Sequence, residues 1–295
     1  MANHTERKLK KMTKNEIKPL LEAGVHFGHL TRKWNPNMSP YIFMEKNGIH
    51  LINLYKTATK LDEACQALSK IASSGRKILF VATKKQAKEI VSKSALDVKM
   101  PYITERWPGG MLTNFVTIRK AVKKMSAIDR TKEDGTFKSL SKKEKLQINR
   151  LREKLEKNLG SITEMTRLPG AIFVVDIRRE HIAIREAQKL NIPIFAMVDT
   201  NCDPREVDYP IPSNDDASKS IALILNHISK SVQDGLSERQ EQKEEEKRIE
   251  EKEQSETKEI KEKSKSESVE TKSETNEMAS GEKKKRTRKT IKKEN

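Results

Sequence analysis

A chain of 295 residues with 34% hydrophobic content is long enough for one large packed domain or two smaller ones. A net charge of +17 with only two cysteines argues against a disulfide-stapled fold and for a polyanionic partner in a reducing compartment. No apolar run of spanning length and no leader-like segment occurs near the N-terminus, so neither a membrane protein nor an exported one is expected.

The distribution of charge is more informative than its total. Residues 237–295 carry a net charge of only +1, so the first 236 residues hold +16. Within them the net charge is +11 over residues 1–113, +8 over 114–167 and −3 over 168–236. Such polarity suits a face or half of the molecule pressed against nucleic acid.

In chain order, residues 15–23 read as a short helix ended by Gly24. The following stretch, 24–41, is expected to be neither helix nor strand. Gly24 and Gly28 free the backbone, and Pro36 and Pro40 push their preceding residues out of the helical region. It carries His26, His29, Arg32, Lys33 and Trp34. Cations beside a large aromatic form a phosphate contact with a stacking platform; the alternative is a polar linker anchored by one Trp. Asn47-Gly48 between two apolar runs predicts a β-hairpin over 41–52, and the spacing of Leu54, Ala58, Leu61, Ala64 and Leu68 predicts a helix over 54–73.

Apolar runs at 78–81, 102–103, 171–176, 194–198 and 208–211 then alternate with helical patterns at 84–95, 181–190 and 216–231. Strand and helix in turn imply an α/β fold with a parallel sheet wrapped by helices. Residues 114–167 interrupt the alternation. Phe115, Ile118, Val122 and Met125, and then Ile148, Leu151, Leu155, Leu159 and Ile162, are narrow apolar stripes on charged helices. They predict an antiparallel coiled-coil hairpin projecting from the body. The expected division is therefore a sheet domain of 1–113 and 168–236, a hairpin of 114–167, and a disordered mixed-charge tail of 237–295 without aromatics and ending in the basic cluster 283–289.

A doubly wound sheet invites a nucleotide at its carboxyl edge, but the turn after the first parallel strand is Ala82-Thr83-Lys84-Lys85-Gln86, with no glycine to let a backbone reach a pyrophosphate. Lys84 and Lys85 join the candidate RNA contacts instead. Arg106-Trp107 repeats the cation–aromatic pairing, and the helix opening after Thr113-Asn114 offers an N-terminus to a phosphate; the competing role for Trp107 is packing the root of the hairpin. His26, His29 and His50 lack the cysteines of a zinc site. Asp199, Asp203, Asp208, Asp215 and Asp216 mimic a divalent-metal or acid–base site, and Asp199 follows a strand, where ligands often bind. But Asp203-Pro204 and Asn214-Asp215 are turn and cap chemistry and no nucleophile stands nearby, so no metal, cofactor or catalytic residue is expected.

Four ordered motifs carry a resemblance. They are Gly24-Val25-His26-Phe27-Gly28-His29 with Arg32-x-Trp34-Asn35-Pro36-x-Met38; Arg106-Trp107-x-Gly109-Gly110-Met111-Leu112-Thr113-Asn114; Leu168-Pro169-x-Ala171; and Ile192-Pro193 through Asp199-Thr200-Asn201. Over residues 12–235 the chain resembles the S-two family of bacterial small-subunit ribosomal proteins. The resemblance implies a flavodoxin-like, doubly wound five-stranded parallel sheet with a protruding coiled-coil hairpin. It also implies a non-enzymatic, cytoplasmic constituent of the ribosome that is not a homo-oligomer. Its partners would be small-subunit ribosomal RNA, neighbouring small-subunit proteins and, in many bacteria, the large S-one protein. The alternative is a nucleotide-dependent enzyme on the same sheet. The candidate RNA-binding residues are Arg32, Lys33, Trp34, Lys84, Lys85, Arg106, Trp107, Thr113 and Asn114.

Overall fold

The computed structural model describes residues 14–134, 137, 140–245 and 248. The chain forms two compact units, Met1–Arg239 and Gln240–Asn295. In the second, residues 240–245 and 248 are described and are helical. Most of the expected tail, with its basic cluster, lies outside the described residues.

The first unit opens with helix α1 (Lys14–Glu22) and a small antiparallel sheet of β1 (Phe27–Leu30), β2 (Ile42–Lys46) and β3 (Ile49–Ile52), in the order β1-β3-β2. The hairpin between β2 and β3 turns on Asn47 and Gly48, both with positive φ (54° and 71°), as a tight two-residue turn requires. Strand β1 is a correction to the sequence reading, which placed no regular structure here. Phe27 pairs with Leu51 and Leu30 with Ile49, with an irregular register between them. Glycine disfavours a strand on local grounds, but the partner edge of β3 supplies the hydrogen bonds that local propensity does not.

Helix α2 (Leu54–Ser73) leads into the main sheet, with β4 (Ile78–Val81), α3 (Lys85–Asp97) and β5 (Tyr102–Ile103) following. The hairpin arms α4 (Phe115–Glu133) and α5 (Lys142–Leu159) come next. Then come β6 (Ala171–Val175), α6 (His181–Lys189), β7 (Ile194–Val198) and β8 (Tyr209–Pro212). Helix α7 begins at residue 218 and runs past the expected end at 231. The five strands are parallel in the order β5-β4-β6-β7-β8. This is the doubly wound order 2-1-3-4-5, with the switch point between the first and third strands of the sheet.

Every residue of β4, β6 and β7 is buried, as continuous apolar runs covered on both faces require. Alternate residues serve two cores. Ile78, Phe80, Phe173, Val175, Phe195 and Met197 pack with α1, α2, α3 and α7 on one face. Leu79, Val81, Ile172, Val174, Ile194 and Ala196 pack with α6 and the root of the hairpin on the other. Phe80 and Phe173 meet across the strands at 5.6 Å between ring centroids, in a tilted contact.

The second arm of the hairpin starts with a capping box, in which Ser141 and Glu144 satisfy each other's backbone amides. The seam differs from the sequence reading at one position. Leu151 is 36% exposed and lies off it, while Arg152, half-buried, takes the place and pairs with Asp129 of α4 at 2.5 Å. The stripe therefore steps through 148, 152, 155 and 159, following the 3.6-residue repeat more closely than the expected 148, 151, 155. Ile162 belongs to a short 3-10 turn after α5 and is buried in the second core. Phe115, Ile118, Val122 and Leu155 pack half-buried against that same core and form the root.

Candidate nucleic-acid interface

The nine sequence-predicted contacts separate by burial. Arg32 and Lys33 lie exposed in a 3-10 turn following β1, and Lys85 and Arg106 are exposed as well. Trp34 is 37% exposed, and its ring rests 5.0 Å from that of His50, tilted by 44°. His50 is buried, with neither ring nitrogen hydrogen-bonded. It backs one side of the indole and leaves another free to solvent, which suits a base or ribose more than a core contact.

Trp107 does not belong to that surface. It is 6% exposed, and its indole Nε1 donates to Glu186 of α6 at 3.1 Å. The same carboxylate accepts from the amides of Gly110 (2.8 Å), Leu112 (2.9 Å) and Thr113 (3.1 Å) and from the Thr113 hydroxyl (3.2 Å). The turn that leads into α4 thus binds an anion of the protein's own, while the amides of the helix itself, from Phe115 on, are not among that carboxylate's donors. Burial pushes the Glu186 carboxyl up, but the hydrogen bonds from Thr113, Leu112, Trp107 and Gly110 outweigh it and hold the group below its ordinary range. Asn114 is exposed and accepts from the Thr117 hydroxyl at 2.8 Å. Glu186 sits 76 residues from Gly110, on the buried side of an ordinary amphipathic helix, and nothing local in the sequence marks it.

Lys84 is also removed from the exposed set. It is 7% exposed and lies at the carboxyl edge of the sheet, its ammonium 2.8 Å from Asp215, 2.5 Å from Asp216 and 3.8 Å from Asp176. Burial alone would lower its pKa, but Asp215 and Asp216 raise it on balance. Asp199 accepts from His29 Nδ1 at 2.9 Å, and His29 Nε2 faces Asp216 at 3.5 Å. The hydrogen bond to Asp199 is the main cause of a raised imidazole pKa. Asp215 is fully buried, one of its oxygens has no hydrogen-bond partner, and burial together with Asp199 and Asp176 pushes its carboxyl up to about 7. Asp176 sits at the end of β6 with φ 70°, a strained conformation for a residue with a side chain. His29, Asp199, Asp215 and Asp216 bring one imidazole and three carboxylates within 4.8 Å of one another, and the Lys84 ammonium against Asp215 and Asp216 stands as the cluster's own cation. Only Asn214-Asp215 among them reads as turn and cap chemistry in the sequence; it is the convergence of strand ends that assembles the cluster.

The small sheet covers this edge. The His29 amide donates to the Thr200 hydroxyl at 2.8 Å, the Asn35 amide to the Thr200 carbonyl at 2.8 Å and the Asn214 amide to the Val25 carbonyl at 3.1 Å. Gly28 permits the approach: a β-carbon there would stand 2.6 Å from Thr200 Cγ2 and 3.0 Å from the His50 carbonyl. Gly28→Ala is expected to cost about 1–3 kcal/mol by overpacking. Urea unfolding of the purified variant checks this, and an unchanged midpoint would show that the two sheets are free to separate.

Among the described residues no helix is long and apolar enough to cross a membrane. The family model described as Ribosomal protein S2 matches residues 20–235. Among similar proteins, one named Small ribosomal subunit protein uS2 from Flavobacterium johnsoniae is 74% identical over 233 residues, covering 79% of this chain and 92% of that protein. Its namesake from Christiangramia forsetii is 73% identical over 238 residues (79% and 80%), and that from Bacteroides fragilis 60% identical over 232 residues (79% and 84%).

Proposed function

The chain belongs to the ribosomal protein S2 family, and on that premise we infer that it is a structural constituent of the bacterial small ribosomal subunit. It binds small-subunit ribosomal RNA and neighbouring ribosomal proteins in support of translation. The observation that carries this reading is identity of 74% across nearly the whole length of a small-subunit protein. A net charge of +19 over residues 1–167 gives the physical counterpart, since neutralising phosphates supplies a large share of the affinity of proteins for nucleic acid. The role is structural and non-enzymatic, in the ribosome of the cytoplasm. The nucleotide-dependent enzyme finds no support in the names of the relatives.

The finer contacts follow from exposure and charge. Arg32, Lys33, Lys85 and Arg106 neutralise phosphates, Trp34 stacks on a base or ribose, and Asn114 offers its side chain at the hairpin root. The sheet domain and hairpin act as one RNA-binding body, with residues beyond it as an appended tail, and the S-one protein is a further partner. Sedimentation of tagged protein with small-subunit particles through a sucrose gradient tests the reading as a whole. For the loop, Arg32→Ala with Lys33→Ala is expected to weaken association most at low salt and to reduce the log–log salt slope by about two, one for each phosphate no longer neutralised. Association that keeps its strength and its salt slope would remove this loop from the interface.

A further inference from the structure

The hairpin is a lever. Its first arm is 19 residues long, or about 28 Å at 1.5 Å per residue, so a tilt of about 10° at the root moves the tip by about 5 Å. That displacement exceeds the reach of an ion pair, roughly 4 Å. An arm that presents positive charge to a fixed RNA surface therefore needs a root with a defined direction. The apolar contacts of Phe115, Ile118 and Leu155 hold the root in place, with directed bonds from the Ser161 hydroxyl to the Tyr102 carbonyl and from Arg119 of α4 to the Thr166 carbonyl at 2.5 Å; none of these reaches α6 from the segment that launches α4.

From the convergence of donors on one carboxylate we infer that Glu186 is a positioning residue of the hairpin, fixing the direction of its first arm relative to the sheet so that its cations meet RNA together. This inference rests on the ribosomal reading above. The carboxylate stands on α6, whose Ala183, Ile184 and Ala187 are buried in the second core. Its five donors come from the segment that launches α4: the Trp107 indole, the amides of Gly110, Leu112 and Thr113, and the Thr113 hydroxyl. Each bond has a preferred line of approach, and several converging on one rigid group allow a single attitude. Charge is part of the device. A carboxylate accepts at every lone pair, whereas a Gln amide would turn an NH2 toward donors it cannot satisfy.

The experiment uses the full chain in a Cys65→Ser background, with spin labels at Lys93→Cys on α3 and Lys124→Cys on α4; Cys202 is buried and stays unlabelled. Distances are measured by double electron–electron resonance, and association with small-subunit particles is measured on the same proteins. Wild-type Glu186 should give one narrow distance. Glu186→Gln should broaden it by several ångströms and weaken association about tenfold, the size of a charge-assisted hydrogen bond removed. Trp107→Phe removes one donor and keeps the carboxylate, so it should give a smaller change of the same kind and carries the test if the Gln variant does not fold. An unchanged distance distribution overturns the inference, and so does a broadened one with undiminished association. Failure of the parent protein to associate would instead overturn the ribosomal reading, while the distances would still report on the root.

Discussion

Lys84→Met is expected to destabilise the body by about 3–5 kcal/mol at pH 8, the usual consequence of leaving a buried charge without its partner. In the cluster of His29, Lys84, Asp176, Asp199, Asp215 and Asp216, Lys84 is the permanent cation, and both Asp215 and Asp199 are almost wholly inaccessible. The loss should be smaller at pH 5, and the sign follows from linkage. Burial, then Asp199 and Asp176, push the Asp215 carboxyl from 3.8 up to about 7, so the folded state keeps a proton that the unfolded chain has released. A group of this kind contributes stability that is complete below its unfolded pKa and is lost as pH rises through its folded one. His29, its pKa raised chiefly by the hydrogen bond to Asp199, acts in the same direction from about 6.5 upward. Without Lys84 the carboxylates repel one another unopposed, and the decline steepens and extends to higher pH. Thermal unfolding at pH 5 and pH 8 in the presence of a chelator checks this, with Lys84→Met/Asp215→Asn expected to recover most of the loss. Equal losses at the two pH values would show that Lys84 acts by packing alone.

Phe173→Ala should cost about 3–5 kcal/mol, the range for emptying a fully buried aromatic site. Phe173 lies in the middle of β6, paired with Phe80 and Phe195 on the flanking strands, so the cavity opens at the centre of the sheet. At roughly 2–4 °C per kcal/mol for a domain of this size, the melting temperature should fall by about 8–15 °C. Leu155→Ala is the contrasting case. Leu155 is only half-buried, and its truncation should cost roughly 1–2 kcal/mol, below the range for a complete cavity. Hydrogen exchange separates the two: Phe173→Ala should speed exchange throughout the sheet, Leu155→Ala only in α4 and α5. Sheet-wide acceleration in the Leu155 variant would mean that the hairpin and the sheet unfold as one unit.

The sequence by itself was enough for whatever depends on neighbours a few residues away. Apolar runs marked β4, β6 and β7; Asn47-Gly48 marked the hairpin; the three-and-four spacing of Leu54 to Leu68 marked α2; and two narrow stripes marked the paired arms. These are local because periodicity and turn chemistry are properties of a short window. Exposure of Arg32, Lys33, Lys85 and Arg106 was equally legible, since charged residues of loops and helix starts stay in water unless something pairs with them.

Where a partner came from a distant part of the chain, only the tertiary structure decided. Phe27–Leu30 is a strand because β3 offers it an edge. Lys84 is buried because strand ends converge on it from positions up to 132 residues away. Trp107 packs inward with its N–H on Glu186, a carboxylate 79 residues further along the chain that no local pattern marks. A local pattern states what a residue prefers when water is its neighbour. Burial changes the neighbour, and in a medium of low dielectric a single well-placed opposite charge outweighs that preference.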